Sequence, residues 1–328
     1  MTIAGGGLAG LALGIALRNR GVDVTLHEAG VYPRHRVCGE FISGVTPQTL
    51  EHLGIADMLS DSEKLESAEW HDSDGRLARM TAKACGISRW RLDDRLQRRL
   101  VERGGRLELH SRIQQRDGVV WAAGRPRQGG RWIGLKAHAI QLTLRSDLEM
   151  HLGTNGYIGL ARVEDGRVNV CGLFLREKRG SGRGVDLLCS TLRAGGLSAL
   201  ATRFEAAEWD HESFCGIAGF EPGSGSSGGF SIGDAAHRIP PFTGNGMSMA
   251  FESAECAVDP LVQWSRGEID WASACTAAAE RQRRRFSRRM AAALGLHAFL
   301  TTRWGIRVAT SVARAGLVPY QTLLSLVR

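Results

Sequence analysis

Residues Ser231–Pro260 read SIGDAAHRIPPFTGNGMSMAFESAECAVDP. The order of residue types predicts a strand closing on Gly233-Asp234, a turn at Pro240-Pro241, a corner at Gly244-Asn245-Gly246 and a helix starting near Met247. Proline presets the backbone for the turn, and glycine tolerates the dihedrals of a sharp corner. A helix entered in this way points backbone N–H groups outward from the positive end of its dipole, where an anion is stabilised.

The start of the chain carries a counterpart. Thr2 to Ala4 is a short strand, Gly5-Gly6-Gly7-Leu8-Ala9-Gly10 follows, a helix runs to about Arg20, and Val22 to His27 alternates as a second strand. In this β-α-β unit Gly5 permits the tight turn, Gly7 lets the backbone approach a pyrophosphate, and Gly10 lets helix and strand pack closely. Glu28 closes the second strand, placed to accept hydrogen bonds from ribose hydroxyls and to repel a 2′-phosphate. With 42 glycines in the chain, a merely structural glycine turn is the competing reading. Two anion sites in one chain fit a ligand long enough to touch both.

The chain has 328 residues, 43% of them apolar and 23% charged, with a formal net charge of +8. These values describe a globular protein with room for a large core. Positive charge alone speaks to solubility and non-specific attraction. Seven cysteines without a C-x-x-C pair argue against a disulfide framework or a cysteine-based zinc site, and no metal ligand is assigned. A reducing, cytoplasmic setting is expected. Leu8 to Leu17 lacks the basic flank of a signal peptide, and no apolar run is long enough to span a bilayer.

Between the two motifs, Thr46 to Leu59 reads as a helix with Thr46 as cap and Pro47 at its first position. Ala68 to His71 and Leu77 to Thr81 flank an Asp72–Gly75 turn, and a helix runs from Arg89 to about Arg103. Leu107 to Leu109 and Val119 to Ala122 read as short strands, and Gly124 to Gly130 as a domain crossing. Trp132–Leu144, Leu148–Leu152, Tyr157–Arg162 and Arg167–Phe174 read as an antiparallel set. Val185–Leu192 and Leu197–Glu208 read as helices, and Phe214–Ile217 as a strand. Gly225 to Gly229 matches G-x-S-x-G but precedes a strand, so a hydrolase nucleophile is not expected there. Trp271 to Ala293 reads as a long helix rich in arginine, followed by apolar segments to Val327 broken by Arg303, Arg307, Arg314 and Pro319. The arginines form a solvated face or an interfacial surface touching anionic lipid. Nucleic-acid binding is not expected, because aromatic stacking residues beyond Phe286 do not interleave with them.

Gly5 to Gly10 with Glu28, Arg89-x-x-Leu92-Asp93-x-x-Leu96, and Gly233-Asp234 followed by Pro240-Pro241-Phe242-Thr243-Gly244-Asn245-Gly246-Met247 together resemble the FAD-dependent oxidoreductases that group geranylgeranyl reductases with aromatic hydroxylases. Val37 to Gly44 and Gly156 to Val163 resemble the geranylgeranyl-reductase branch. The resemblance spans nearly the whole chain. It implies an α/β fold in which a Rossmann-like FAD-binding domain (1–66, 86–125, 218–265) is interrupted by an antiparallel β-sheet substrate domain (67–85, 126–217), with C-terminal helices (266–328).

FAD then has its adenosine half on Gly5, Gly7, Gly10 and Glu28. Its flavin half lies on Gly233, Asp234, Gly244, Asn245, Gly246 and Met247, with Asp234 on the ribityl hydroxyls and the corner N–H groups facing flavin N1 and C2=O. Resemblance also places Arg36, Gly39 and Arg89 near the flavin or pyrophosphate. Cys38, Glu40, Pro241 and Phe242 are the candidate catalytic residues, Cys38 and Glu40 for proton delivery or substrate contact.

Three functions are expected in order. The first is reduction of a carbon–carbon double bond in a hydrophobic prenyl, lipid or polyketide-like substrate by hydride transfer at flavin N5. The second is a monooxygenase acting on a phenolic or polyketide substrate, and the third a non-catalytic flavin-fold binding protein. Electrons would come from NAD(P)H or a small electron-transfer protein, since no second G-x-G-x-x-G unit occurs. Alanine at 122 and 123, where aromatic hydroxylases carry the acid of Asp-Gly, weighs against a hydroxylase using NADPH in their manner. The missing Trp-x-Trp-x-Ile-Pro segment weighs against halogenation, and the missing Trp-x-Phe-Pro element leaves a geranylgeranyl substrate unsecured. The short first strand and the short interval between Leu109 and Val119 are expected to reflect a trimmed sheet or an incomplete start.

Overall fold

A computed structural model describes residues 1–125, 130–225, 229–315 and 317. Parts of the Gly124–Gly130 crossing, of the Gly225–Gly229 match and of the apolar segments expected to reach Val327 lie outside the described residues. In chain order the elements are β1 (Thr2–Ala4), α1 (Leu8–Arg18), β2 (Thr25–His27), β3 (Phe41–Ser43), α2 (Pro47–Leu53), β4 (Glu63–Asp72), β5 (Gly75–Gly86), α3 (Arg89–Glu102), β6 (Arg106–Glu108) and β7 (Val119–Trp121). Then come β8 (Trp132–Ile140), β9 (Leu148–Gly153), β10 (Gly156–Arg162), β11 (Arg167–Leu175), α4 (Gly184–Ala194), α5 (Ser198–Glu205), β12 (Glu208–Phe220), α6 (Gly246–Ser265), α7 (Trp271–Leu300) and α8 (Arg303–Arg314).

The nucleotide-type layer is a four-stranded parallel sheet in the order β6-β2-β1-β7. Its core joins Ile3 and Leu26 to α1 (Leu11, Ile15), α3 (Leu92, Leu96) and α6 (Phe251, Val258). Helix α1 is buried along nearly its whole length, as a crossover helix covered by both sheet and neighbouring helices must be. The strand expected before Gly233 is reduced to a parallel bridge between Ser231 and Trp121, after which Gly233–Ala235 forms a single 3-10 turn.

The second sheet has eight strands in the order β12-β8-β11-β10-β9-β4-β5-β3. It is antiparallel at every junction except β4 with β9, which is parallel. One face packs under α4 and α5, where Leu135, Ala137, Ile158, Leu160 and Val170 meet Leu192, Leu200 and Phe204. Directly opposite residues share a face of a sheet, so Lys136 and His138 project from the other face, toward the loop that leads into β3.

Several boundaries differ from expectation for local reasons. The helix expected over Thr46–Leu59 breaks at Gly54, which is left-handed (φ 73°), and resumes as a 3-10 turn over Ala56–Leu59. The β4–β5 hairpin extends well beyond its turn, and β12 runs from Glu208 because an irregularity between Asp210 and Cys215 keeps it in register with β8. Helix α7 continues seven residues past Ala293 to Leu300. Among the described residues no helix is long and apolar enough to cross a membrane.

Candidate active site

The first motif folds as its spacing requires. Gly5 has φ 110°, and a Cβ there would collide with the Ala122 carbonyl. A Cβ on Gly10 would collide with the carbonyl of Gly5, whereas one on Gly7, the residue capping α1, would meet nothing within 4 Å. The start of α1 therefore opens onto free space while its flanks are tightly packed. Glu28 is buried and accepts from the Gly6 N–H (2.8 Å), the Gly30 N–H (2.8 Å) and Arg34 (2.9 Å). Burial opposes its charge, but Arg34, the two backbone donors and Arg36 hold its carboxyl below the ordinary range. Tyr32 donates to the Gly6 carbonyl at 2.5 Å, a contact that sequence reading missed.

The second motif adjoins the first. A Cβ on Gly233 would lie 2.9 Å from that of Ala9 in α1, and the Gly233 N–H donates to Ser253 of α6. Asp234 is surrounded by protein yet accessible to water, as the wall of an open cleft is. Its surroundings push its carboxyl up, while Arg125, Arg89 and Arg238 pull it down. Gly244 is left-handed (φ 69°) and Asn245 leads into α6, whose first residue, Gly246, has nothing within 4 Å of an added Cβ. Both glycine-led helix starts are thus unobstructed. Met247 turns inward to the core.

The loop from Arg36 to Ser43 lies between this corner and the large sheet. On the corner side, the Phe41 ring fills the space beside Gly244 and Gly39, and Ser43 donates to Asn245 at 3.2 Å. On the sheet side, the Cys38 carbonyl accepts from Asn169 at 3.0 Å. Arg36 and Arg89 share Asp93, at 2.8 Å and 2.7 Å, and Arg36 also donates to the Gly6 carbonyl. The structure therefore brings Arg36, Cys38, Gly39, Glu40 and Arg89 together between the two motifs.

Glu40 is fully buried with φ 55°, a left-handed conformation that is costly for a side chain of this size. Its carboxylate accepts from His138 Nε2 at 2.5 Å and from the Arg89 N–H at 3.1 Å, and lies 3.4 Å from the Lys136 ammonium. Burial works against its charge, but the His138 bond and the Lys136 ammonium keep it ionised below the ordinary range. Lys136 also meets His35 Nδ1 at 3.0 Å, and His35 stacks on the half-exposed Trp90. Burial, with Lys136 and His138 adding to it, lowers His35 to about 4.

Two buried acceptors on the same sheet face have no partner, His138 Nδ1 and Asn169 Oδ1. The amide orientation follows from chemistry: its NH2 must face the Cys38 carbonyl, and His138 must present an N–H to a carboxylate.

Lys136, His138, His35 and Asn169 escaped sequence reading. The available signal was the run Trp132–Ile140, in which Lys136 and His138 alternate with Leu135, Ala137 and Ala139. Of the expected catalytic residues, Glu40 sits at the centre of this array. Burial pushes the Cys38 thiol up, so it is a protonated thiol at neutral pH. Pro241 is exposed. The Phe242 ring turns away from the corner, stacks on His297 and lines an apolar cavity of about 50 Å³ with Trp70, Trp132, Tyr157 and Ile306. The face next to the corner therefore has two parts, a charged one around Glu40 and Lys136 and an apolar one beside Phe242.

No family model matches the chain, and no curated protein matches it by sequence. Solved structures do. p-Nitrophenol 4-monooxygenase PnpA of Pseudomonas putida DLL-E4 superposes with a TM-score of 0.78 at 13% identity, covering 99% of this chain and 95% of its own. HpxO of Klebsiella pneumoniae, complexed with FAD and uric acid, gives 0.73 at 17%, covering 99% and 95%. PqsL of Pseudomonas aeruginosa, in complex with 2-aminobenzoylacetate, gives 0.72 at 16%, covering 94% and 98%. At these identities the likeness establishes the fold. The chain has the α/β architecture of these flavoproteins along nearly its full length.

Proposed function

We propose that the protein is an FAD-dependent monooxygenase that hydroxylates a small aromatic substrate carrying a hydrogen-bond donor, such as a phenol or a ring amine. The observation that carries this reading is the convergence of three features: two unobstructed glycine-led helix starts, the water-accessible Asp234 between them, and a buried Lys136–Glu40–His138 array on the sheet face opposite. The fold neighbours support it, because one is named a 4-monooxygenase and the three are named with p-nitrophenol, uric acid or 2-aminobenzoylacetate. They favour hydroxylation over carbon–carbon double-bond reduction, and the geranylgeranyl-reductase branch gains nothing from them.

The residues present fit FAD. The backbone donors at the start of α1 and Glu28 would hold its pyrophosphate and adenosine ribose. Asp234 would accept from the ribityl hydroxyls, and the first N–H groups of α6 would face the flavin pyrimidine edge. Bound FAD would supply the redox chemistry, taking reducing equivalents from NAD(P)H or a small electron-transfer protein and delivering them to O₂.

This chain's own residues handle the proton. His138 Nδ1, a buried atom without a partner, would take the proton of a phenol admitted to this face, and Glu40 on Nε2 would stabilise the imidazolium that forms. Lys136 keeps Glu40 ionised while that happens. Asn169 Oδ1, likewise buried without a partner, would orient that substrate through a second donor. Arg36 and Arg89, tied to Asp93, fix the loop from which Glu40 projects, and Gly39 leaves room for that loop beside the corner.

The test is oxygen labelling. Protein reconstituted with FAD and a reductant should place oxygen from labelled O₂ into a phenolic product, and His138→Gln should lower the rate by about 10²-fold while FAD is retained. Failure to retain any flavin would sink the flavoenzyme reading. Substrate turnover without O₂ would return the reductase.

A further inference from the structure

A second buried polar cluster lies on the other face of the eight-stranded sheet, under α5. Across the parallel β4–β9 junction, Glu69 stands opposite Glu149 and His71 opposite His151, so the four side chains form two rows on one face. All four are buried. The two imidazoles stack with centroids 4.7 Å apart and an interplanar angle of 14°. Neither ring nitrogen of His71 has a hydrogen-bond partner, although the residue is 2% exposed. A buried imidazole without any partner is costly, and native proteins rarely leave one.

We propose that Glu69, His71, Glu149 and His151 form a binding site for one divalent transition-metal ion, zinc by the chemistry of its donors, which pins the seam between the two halves of the sheet. Two imidazoles and two carboxylates make a donor set that suits zinc, whereas calcium and magnesium take oxygen ligands. Single ligand atoms of His71, Glu149 and His151 already lie within 4.8 Å of one another. A tetrahedral ion with bonds of about 2.1 Å separates its ligands by roughly 3.4 Å. His151 Nε2 lies 2.9 Å from Glu149, so one edge of such a tetrahedron is in place, and Glu69, outside that group of three, lies 3.2 Å from His71 Nε2 as the candidate fourth ligand.

The surroundings hold the ligands. Arg203 donates to both oxygens of Glu149, at 2.7 and 3.1 Å, the Arg145 N–H donates at 2.5 Å, and Arg76 reaches Glu69 at 3.3 Å. Outer contacts of this kind orient metal-binding carboxylates. Burial also lowers both imidazoles, which favours the neutral form that a ligand needs. The only other comparable cluster among the described residues, His35 with His138 and Asp210, already has the Lys136 ammonium 3.0 Å from His35. A second cation has no place there.

The position gives the ion a role. β4–β9 is the one parallel junction of this sheet, joining strands from residues 41–86 to strands from 132–220. An ion bridging it would tie two chain segments that are remote in sequence.

The experiment titrates the chelator-treated full-length protein with zinc by calorimetry and follows its melting. One equivalent should bind, with Tm rising by roughly 5 °C in zinc excess. His71→Gln should weaken binding at least about tenfold, whereas His52→Gln, at a surface histidine beside Glu255 and Asp259, should leave it unchanged. X-ray absorption on the zinc-loaded native chain should show two imidazoles, which keeps the test decisive if His71→Gln does not fold. Absence of saturable binding, zinc without imidazole ligands, or a folded His71→Gln that binds as the native chain does would each overturn the proposal.

Discussion

The two faces of the eight-stranded sheet solve the same problem in opposite ways. On the corner side, the buried Glu40 has a countercharge of its own depth, since the Lys136 ammonium lies 3.4 Å away and is fully buried. On the α5 side, Glu69 and Glu149 take their positive charge from the rim, through arginines whose side chains keep 58% (Arg76), 62% (Arg79) and 20% (Arg203) of their surface in solvent. The first arrangement is electrically closed and cannot accept a metal ion. The second leaves two carboxylates and two neutral imidazoles facing one another with their charge balance supplied at arm's length. A buried charge is tolerated only when paired, so the identity and depth of the partner decide whether a cluster is electrically closed or has room for an ion.

Removing the internal countercharge should do the greatest damage. Lys136→Met keeps the stem and deletes the ammonium, leaving the buried Glu40 without its lysine countercharge. The expected loss of stability is about 3–5 kcal/mol, read as a lowered urea midpoint. Arg76→Met on the other face, where water screens the pair, should cost less than about 1 kcal/mol. Equal losses would erase the distinction between the two faces.

A matched pair of histidine substitutions sharpens it further. His138→Leu strips Glu40 of a 2.5 Å hydrogen bond and should cost about 1–3 kcal/mol. His71→Leu, made in metal-free protein, removes a ring that makes no hydrogen bond, although it stacks on His151 and its Nε2 lies 3.2 Å from Glu69, and should fall within about 1 kcal/mol of the native chain. If His71→Leu proves as costly as His138→Leu in chelator-treated samples, the imidazole has a partner that the geometry does not reveal.

The halves of the molecule were unequally legible. β1, α1 and β2 could be read because their signals are local: glycine spacing, an apolar helix and a terminal acid all fall within Thr2–Glu28. The Gly244 corner was equally plain. Glu40 stood out as a candidate only through resemblance, and its partners Lys136 and His138 lie about a hundred positions further on, in a strand whose alternation shows that it has two faces but not what either one meets. The parallel β4–β9 junction was invisible for the same reason. No periodicity within Glu63–Asp72 states that the strand will lie beside Leu148–Gly153, so His71 and His151 could not be paired. The direction of the Phe242 ring was not legible at all, since a proline-led 3-10 turn fixes the backbone while the cavity beside Tyr157 and His297 decides where the ring goes.

The smallest expected effect concerns acid. His35 falls from its ordinary 6.5 to about 4, burial being the main cause and Lys136 the next, and in its neutral form Nδ1 accepts from the Lys136 ammonium. Between pH 6.5 and 4 the unfolded chain takes up a proton at His35 that the folded chain refuses, so stability falls as pH drops through that window and levels off below it. His35 is only half-buried, and with solvent screening the contribution is about 1 kcal/mol. On the far face His71 and His151 are also lowered by burial, so they add a slope of the same sign. Urea midpoints measured from pH 7 to pH 4 separate the two: His35→Gln should flatten part of the acid slope, and zinc should flatten the remainder by holding His71 and His151 unprotonated. An acid slope indifferent to His35→Gln but abolished by zinc would assign the whole effect to the α5 side, and would mean that folding does not depress His35.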